Sequence, residues 1–371
     1  MAKGRRRWFT YGSRSLLAMV AVLAMCLAWW IRPAREQEAI IAKLRAYDGR
    51  ATVVYDDEYA GVSTASFPYV MGPIDFRPRA WMPTFLQSRL GKDYLYVVLS
   101  VGSPRFSHSA KSKEVLRYLA KLPRLNHLTF NADVDDADVA FLIPLRHLDK
   151  LELGSCPLLT DEGLAQITKI STLRHLGLRN GAFTDHGLVH LQKLTELTSL
   201  VLGEAFYPDG AVNISDIGLR HLSCLTKLES LELSSTKLTG AGLSDLASLT
   251  RLTALRLKCP LLSDRELPRI VSMKSLQSLV LEQSQIAGPG LASLAGLSKL
   301  SLLSLHGYNI TDEAIPFLAP LPMAADFEFI HTRVSKACIK QLQSARARSA
   351  VIWNPPFEPQ ATDLRPAQGR G

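Results

Sequence analysis

The chain has 371 residues, of which 47% are apolar and 21% charged, a composition typical of a globular protein with a sizeable core. Its net charge of +9 is concentrated at the two ends: residues 1–50 hold ten Lys/Arg against three acids, and residues 340–371 hold five against two. The body between them is almost neutral, which argues against a nucleic-acid-binding protein.

An uncharged stretch near the N-terminus is long enough to cross a membrane. Residues 15–31 carry no charge between Arg14 and Arg32, and these seventeen residues reach the lower limit of about 17–25 for a transmembrane helix. Tryptophans at 29 and 30 close the stretch, where aromatic side chains favour the headgroup zone. The alternative is a cleaved signal peptide, whose apolar region is only about 7–15 residues long. The length therefore favours an uncleaved anchor.

The residues that flank this span predict its orientation. Five Lys/Arg and no acid precede it, and Lys/Arg accumulate on the cytoplasmic side of a membrane. We therefore expect residues 1–14 to be cytoplasmic and the body of a single-pass membrane protein to lie outside the cytoplasm. Residues 32–50 follow, where Ile40, Ile41 and Leu44 share one helical face and predict a stalk helix.

Residues 51–114 precede the regular part of the chain. "ATVVY" (51–55) and "YLYVVLSV" (94–101) are apolar runs typical of strands. We interpret the region as an N-terminal cap, since the first unit of an array must cover its apolar edge. An enzyme with its site here would depend on the acids at 56–58, which a solvated strand end explains better.

From residue 115 to residue 353 the chain repeats itself. The last apolar residue of successive L-x-L patterns recurs at steps of 23–25 residues, with a single step of 31, and such a period indicates a solenoid. Within a unit, the L-x-L pattern predicts a strand and the following L-x-x-L-x-x-L pattern predicts a helix. We call the apolar positions that recur in every unit the repeat frame. In one unit all of them are leucine: Leu228, Leu231, Leu233, Leu238, Leu243, Leu246 and Leu249.

Each predicted helix is preceded by a residue that can cap it. A Ser or Thr oxygen can accept from free amides at the helix start, and the Asp that often follows favours the positive end of the helix dipole. The predicted caps are Thr160, Thr184, Ser215, Thr239, Ser263, Thr311 and Ser335. In "DVDDADV" (133–139), Asp135 takes the cap position. This explains the acids better than a calcium site does.

These repeats resemble the short, 24-residue class of leucine-rich repeats, as in "LESLELSSTKLTGAGLSDLASL" (228–249) and "LRHLGLRNGAFTDHGLVHLQKL" (173–194). The resemblance implies an α/β fold, a right-handed solenoid with parallel strands on its concave face and helices on its convex face. The family often has an asparagine ladder three residues after L-x-L. Here Gly181, Thr236 and Tyr308 stand at such positions, so we expect a partial ladder or one made by hydroxyls.

The order of segments resembles that of membrane-anchored leucine-rich repeat proteins of planctomycete bacteria. The shared features are a basic segment, a span ending in tryptophans, "REQEAIIAKLRAYDGRATVVYDDEY" (35–59) and "TDxGL"-type repeats. This resemblance implies architecture and little chemistry. Residues 354–371 are rich in proline and polar residues, a composition typical of a disordered tail.

The chain lacks the motifs of common enzymes and cofactor sites. We find no G-x-G-x-x-G, G-x-x-x-x-G-K-[ST], G-x-S-x-G or H-E-x-x-H pattern, which argues against an enzyme. We predict no cofactor, no metal and no small-molecule substrate. The cysteines at 26, 156, 224, 259 and 338 are scattered, so single buried thiols are expected. His127, Lys150 and His175 form a predicted concave row, with histidines about 10 Å apart and too distant to share a metal.

One unit carries an insertion of about seven residues, "FYPDGAV" (206–212), which either forms a binding loop or folds back over Phe183. We predict a membrane-tethered module that binds an unknown protein partner. A purely structural component of the cell envelope or an adhesion component is the alternative. The residues predicted to contact the partner, from this loop and the concave face, are Phe206, Tyr207, Asp209, Arg179, Glu232 and Arg256.

Truncation of a frame leucine tests the repeat assignment. Leu231→Ala is expected to lower the free energy of unfolding by about 2–5 kcal/mol, since it leaves a cavity between stacked units. Urea denaturation followed by circular dichroism measures the change. A loss below about 0.5 kcal/mol would mean that Leu231 is not in the core.

Overall fold

The computed structural model describes residues 39–40, 42–43, 52–55, 98–102, 110–122, 125–203, 212–323 and 325–354. The predicted membrane span and the tail after residue 354 lie outside these ranges. Within them, no helix has the length and apolar character needed to cross a bilayer. The chain divides into two compact units, one formed by Met1–Phe130 with Pro144–Leu148, the other by Asn131–Ile143 with Asp149–Gly371.

The first unit contains the two strands predicted before the repeats. Strands β1 (Thr52–Tyr55) and β2 (Val98–Gly102) are antiparallel, and β2 is parallel to the start of β3 (His127–Asp135). A helix, Ala110–Leu119, lies between β2 and β3 in sequence. Part of the predicted stalk is helical, and Lys43 Nζ donates to the Tyr118 hydroxyl at 3.2 Å. This segment therefore contacts the helix Ala110–Leu119.

The second unit contains a parallel sheet with one strand per repeat. Each L-x-L pattern lies in a strand, and equivalent residues of neighbouring strands are paired, as in Leu231 with Leu255 and Leu233 with Leu257. Strand β7 (Val212–Ser215) lies off the main path: it pairs with the end of β8, and its Asn213 forms an isolated bridge with Thr184. The strands of the main path are β4 (Lys150–Leu158), β5 (His175–Leu178), β6 (Ser199–Leu202), β8 (Ser230–Lys237), β9 (Ala254–Lys258), β10 (Ser278–Glu282), β11 (Leu302–His306), β12 (Asp326–Ile330) and β13 (Val351–Asn354).

A return helix connects each strand to the next, but its type changes along the chain. The first return segments are α-helical: Asp136–Val139, Asp161–Ile167, Asp185–Leu191 and Asp216–Leu219, the last continuing as a 3₁₀ turn, Arg220–Leu222. Later ones are 3₁₀ helices at Ala241–Ser248, Pro289–Gly296 and Asp312–Leu318, and a mixed segment at Asp264–Glu266 and Leu267–Ile270. The last, Lys336–Ala345, is α-helical.

The 3₁₀ segments agree with the three-residue spacing of their leucines. A 3₁₀ helix has three residues per turn, so Leu243 and Leu246 lie on one line along it. Both are at most 2% exposed, as are the other leucines of the complete frame. The leucine core predicted from the repeat is confirmed.

The predicted Ser/Thr caps are confirmed in part. Thr160, Thr184, Ser215 and Ser335 each accept an amide hydrogen bond at their own helix start, and Asp135 forms a reciprocal capping box with Asp138. The prediction is wrong at the start of two 3₁₀ segments. Ser263 and Thr311 make no side-chain cap there.

The Asp that follows each cap bonds to the next repeat. Asp136 accepts from the amide and the hydroxyl of Thr160, at 2.8 and 2.6 Å. Asp161 accepts in the same way from Thr184, and Asp185 from Ser215, at 2.6–2.8 Å. Each carboxylate therefore joins the first turn of its own helix to the cap of the following one. We call this series the aspartate ladder.

The aspartate ladder continues through the 3₁₀ segments with other donors. Asp216 accepts from Thr239 and from the amides of Gly240 and Gly242. Asp264 accepts from three amides, those of Ala287, Gly288 and Gly290, and Asp312 from that of Ser335. Charged acceptors make the stronger hydrogen bonds of proteins, so the aspartate ladder adds a directional link between the return helices of neighbouring units.

The glycine of "TDxGL" makes room for this carboxylate. A Cβ at Gly163, Gly187 or Gly218 would approach the ladder aspartate of the preceding unit to under 3.0 Å, closer than side-chain carbons come to other atoms. The motif therefore combines a cap, an acceptor for the next cap, and a gap for the carboxylate of the previous unit.

Buried thiols take part in the ladder that was predicted for hydroxyls. Cys156 donates from Sγ to the carbonyl of Arg179 at 2.9 Å, and Ser235 donates to the carbonyl of Ile214 at 2.6 Å. Burial raises the pKa of Cys156 and Cys259 to about 12. The predicted position is wrong by one residue in two units, where Ser235 and Cys259 are buried in place of the residue that follows each. Tyr308 is 57% exposed, whereas Thr332 is buried at the predicted position. Buried thiols are confirmed at two cysteines, but Cys224 is exposed.

Arg346 closes the C-terminal end of the repeats. Its guanidinium donates to the carbonyls of Leu318, Ala319, Leu321 and Pro322, at 2.7–3.1 Å. It is 3% exposed and lies over the ring of Phe327, 5.1 Å from its centroid. One side chain thus bonds four carbonyls at and just after the end of the 3₁₀ helix of the preceding unit.

Removal of a ladder carboxylate tests the link between units. Asp185→Ala leaves the amide and hydroxyl of Ser215 without their charged acceptor, and we expect the free energy of unfolding to fall by about 2–4 kcal/mol. The control is Glu162→Ala, an exposed acid in the first turn of a neighbouring helix, for which we expect a change of about 0.5 kcal/mol. Urea denaturation compares the two, and equal effects would contradict a role for the inter-repeat bonds.

Candidate functional site

The side of the sheet opposite the leucine core carries a row of mostly polar residues. These residues stand between the paired core positions of each strand, and the register places them side by side. We call this surface the polar face. From β4 to β13 its middle row is Glu152, Gly177, Val201, Glu232, Arg256, Val280, Ser304, Glu328 and Ile352.

Arg256 is the centre of an ion-pair network on the polar face. Its guanidinium lies 2.8 Å from Glu282 Oε1 on β10 and 3.9 Å from Glu232 Oε2 on β8. The pair with Glu282 runs diagonally, two residues further along the next strand, because the direct neighbour of Arg256 is the apolar Val280. The guanidinium therefore spans three strands.

The network continues through a serine and a histidine. His306 Nδ1 lies 3.8 Å from Glu282 Oε1, and its Nε2 lies 2.8 Å from Ser304 Oγ. Ser304 also contacts Glu328 Oε2 at 2.7 Å. Since a carboxylate only accepts, the one hydroxyl proton of Ser304 goes to Glu328, and His306 Nε2 must carry the proton that it shares with Ser304. We call the set Glu232, Arg256, Glu282, Ser304, His306 and Glu328 the polar-face network.

Burial changes the acidity of two members of the polar-face network. Burial raises the pKa of Glu282, and the charges of Arg256 and Lys258 offset this only in part. Burial, followed by the positive charge of Arg256 and by His331, lowers the pKa of His306 to about 4. The imidazole is therefore neutral at pH 7, in agreement with its role as a single-proton donor to Ser304.

The order Glu282, His306, Ser304 resembles the carboxylate, imidazole and hydroxyl of serine hydrolases, but it does not have their chemistry. In those enzymes the imidazole accepts the serine proton, whereas here the serine donates to Glu328. Ser304 is 0% exposed, so no substrate carbonyl reaches its oxygen. The described residues also contain no cluster of His, Cys, Asp or Glu arranged to hold a metal.

The N-terminal part of the polar face has smaller ion pairs. Lys150 and Glu152 are 2.8 Å apart on β4, and Arg174 lies 3.5 Å from Asp149. His175 is paired in register with Lys150, as the predicted row requires, whereas His127 belongs to the first unit. Burial lowers the pKa of His175, against the opposing charge of Asp149. Gly177 and Gly203 carry no side chain, so few side-chain atoms project from the middle of this region.

The structure brings together only some of the residues predicted to contact a partner. Glu232 and Arg256 are joined in the polar-face network and are 14% and 19% exposed in their side chains. Arg179 directly follows β5, where its carbonyl accepts from the thiol of Cys156. Phe206, Tyr207 and Asp209 lie outside the described residues. Their role stays a prediction.

Sequence reasoning missed Glu282, Ser304, His306 and Glu328 as members of one network with Arg256. All four stand in rows that the repeat frame aligns, so their proximity was available from the register. What the frame did not indicate was the diagonal pairing, which depends on the length of each side chain and on the small or apolar residue beside it.

Acid titration of His306 tests the polar-face network. An imidazole whose folded pKa is lowered contributes stability that is present above pH 6.5 and is lost as the pH falls towards 4, because the unfolded chain takes up the proton first. We expect wild type to lose on the order of 1–3 kcal/mol more than His306→Gln between pH 7 and pH 4. Urea denaturation at several pH values measures this, and comparison at pH 8 isolates the cost of losing the ring. Parallel curves would contradict the assignment.

Comparisons with known proteins agree with the repeated unit. A family model described as "Leucine Rich repeat" matches residues 145–167 and 224–247. No curated protein sequence matches the chain.

Several solved structures are similar to parts of the chain. Internalin C2 of Listeria monocytogenes is 22% identical, with a TM-score of 0.39, over 60% of this chain and 84% of the internalin. An internalin (inlF) of the same organism is 18% identical, with a TM-score of 0.32, over 74% and 93%.

The plant peptide hormone receptor RGFR1, solved in complex with RGF2, is 14% identical, with a TM-score of 0.39, over 70% of this chain and 35% of the receptor. At these scores the likenesses add no argument about function. The matched family model and the repeated strand and return helix together support a leucine-rich repeat protein.

Proposed function

We propose that the chain is a non-enzymatic module that binds a protein partner through the polar face of its repeat sheet. The main support for this proposal is the polar-face network, whose residues lie on β8 to β12. Contacts within the chain already hold its positive and negative side chains in place without a partner. A surface whose side chains are already ordered loses less entropy when it binds. Mixed charges on a partly buried surface suit another protein better than a polyanion.

We propose further that residues 15–31 tether this module to a membrane, with the repeats outside the cytoplasm. This part rests on the uncharged span and on the lysines and arginines that precede it. The resemblance to the membrane-anchored planctomycete proteins supports the same arrangement. Phe206, Tyr207 and Asp209 are proposed to extend the contact surface beside β6, together with Arg179.

Two other functions compete with this proposal. A structural component of the cell envelope would use the same solenoid without a defined partner. An enzyme with its site in residues 51–114 would need a reactive group there, and the only clustered polar residues are those at 55–58.

Photo-cross-linking in intact membranes tests the partner-binding proposal. A photoreactive amino acid is placed at Ile352, which lies on the polar face and is 55% exposed, and in a control at Ile217, which lies on a return helix and is 59% exposed. Because the two sites match in residue type and exposure, only a face-specific partner produces one dominant adduct at Ile352 and none at Ile217. Joint alanine replacement of the six predicted contact residues is expected to remove that adduct. Identical adducts at both sites, or none, would favour the structural alternative.

A further inference from the structure

A row of positive side chains lies at the edge of the sheet where the strands begin. In six consecutive repeats, the turn between the return helix and the next strand contains at least one Lys or Arg at a solvent-accessible position. Lys227, Arg251 and Lys299 stand directly before the leucine that precedes their strand, whereas Lys169 and Lys193 stand three positions earlier in the repeat. The charges therefore lie along one edge of the sheet without sharing one register position. We call this row the basic edge: Lys169, Lys193, Lys227, Arg251, Lys274 and Lys299.

Most of the basic edge has no acidic partner. Lys227 is bonded to Glu196 at 2.5 Å. No described carboxylate lies within ion-pair distance of the other five cations. Lys274 Nζ donates to the carbonyl of Gly296 at 3.3 Å, at the end of a return helix. The helix dipole therefore explains why a cation is favoured in each turn, but not what compensates five like charges in a row.

Hydroxyl groups accompany these cations. Thr226, Thr250 and Ser298 directly precede Lys227, Arg251 and Lys299 in sequence, and all three are exposed. Within the described part of the chain their hydroxyls are not bonded to another protein group. In these three turns, a cation beside a free hydroxyl can bind an anionic oxygen by charge and by a hydrogen bond together.

The composition of the six turns distinguishes between kinds of anionic partner. None of them contains an aromatic residue, so they lack the stacking platforms that bind single-stranded nucleic acid. None of the exposed large apolar side chains of the described residues lies in these turns, so insertion into a lipid surface has no apolar anchor there. What remains is a series of cations and hydroxyls along a polar edge, where Glu196 and Glu229 are the acids of the same turns.

We propose that the basic edge binds a linear acidic polysaccharide. A polysaccharide with sulfate or carboxylate groups carries its charges along one extended chain, as the edge carries its cations, and its hydroxyls suit the Ser and Thr side chains beside them. This surface is separate from the polar face, so the polysaccharide and a protein partner can bind at the same time.

Binding of fluorescently labelled heparin to the full-length chain tests the proposal. The edge variant replaces the five unpaired cations (Lys169→Gln, Lys193→Gln, Arg251→Gln, Lys274→Gln and Lys299→Gln). The control variant removes five exposed cations elsewhere (Arg220→Gln, Lys237→Gln, Arg265→Gln, Lys336→Gln and Lys340→Gln). Both variants keep the basic N-terminal segment and have the same net charge, so only the position of the lost charges differs.

We expect the edge variant to bind heparin roughly tenfold or more weakly, with a smaller dependence of Kd on salt, while the control stays near wild type. If the edge variant does not fold, as judged by circular dichroism, the pair Lys193→Gln/Arg251→Gln is expected to weaken binding about threefold or more. The proposal is overturned if both variants lose affinity equally or if wild type does not bind heparin at low salt. It is also overturned if phosphatidylglycerol vesicles or single-stranded DNA bind more tightly through the same five cations.

Discussion

The carboxylate that each repeat extends to the next is the interaction on which the order of this solenoid depends. Backbone pairing sets the register of the strands, whereas leucine packing on the return helices is non-directional. An aspartate that accepts both the amide and the hydroxyl of a cap permits one position only. Because each aspartate also stands at the positive end of its own helix, the same charge stabilises the helix and sets the position of the neighbouring unit.

This constraint explains why the return segments change type while the sheet stays regular. The strand register is kept by backbone pairing and by the leucines, and the ladder needs only an amide or hydroxyl donor at the start of the next segment. Gly240 and Gly288 enter the 3₁₀ segments with positive φ angles. The Gly240 amide donates beside the Thr239 hydroxyl, and the Gly288 amide is among three amides that donate to Asp264. Each return segment is thus fixed at its start by the ladder bond and at its end by the next paired strand. Between these points it can be α-helical or 3₁₀, according to its local sequence.

The polar face differs from the aspartate ladder, because its charged groups are partly buried although the leucine core does not need them. Desolvation works against a charged Glu282, and the attraction of Arg256 offsets it only in part. Such a network stabilises little but orders its side chains in one arrangement, which is useful for recognition. The basic edge is different again, since its cations lie at solvent-accessible positions and most have no acidic partner among the described residues.

Local patterns in the sequence were enough to determine the repeat, its strands, its buried leucines and most of its caps. Each depends on residues within about ten positions of one another, as Leu231, Glu232 and Leu233 show. The contacts between repeats were decided only by the tertiary structure: Asp185 with Ser215, Arg256 with Glu282, and Arg346 with four carbonyls of the preceding unit. These contacts join residues 24 to 30 positions apart, and side-chain length, local burial and the exact stacking of neighbours select the partner from several aligned candidates. In a periodic sequence, several residues of the neighbouring repeat are equally plausible partners for a given side chain. Only the tertiary structure shows which of them is in contact.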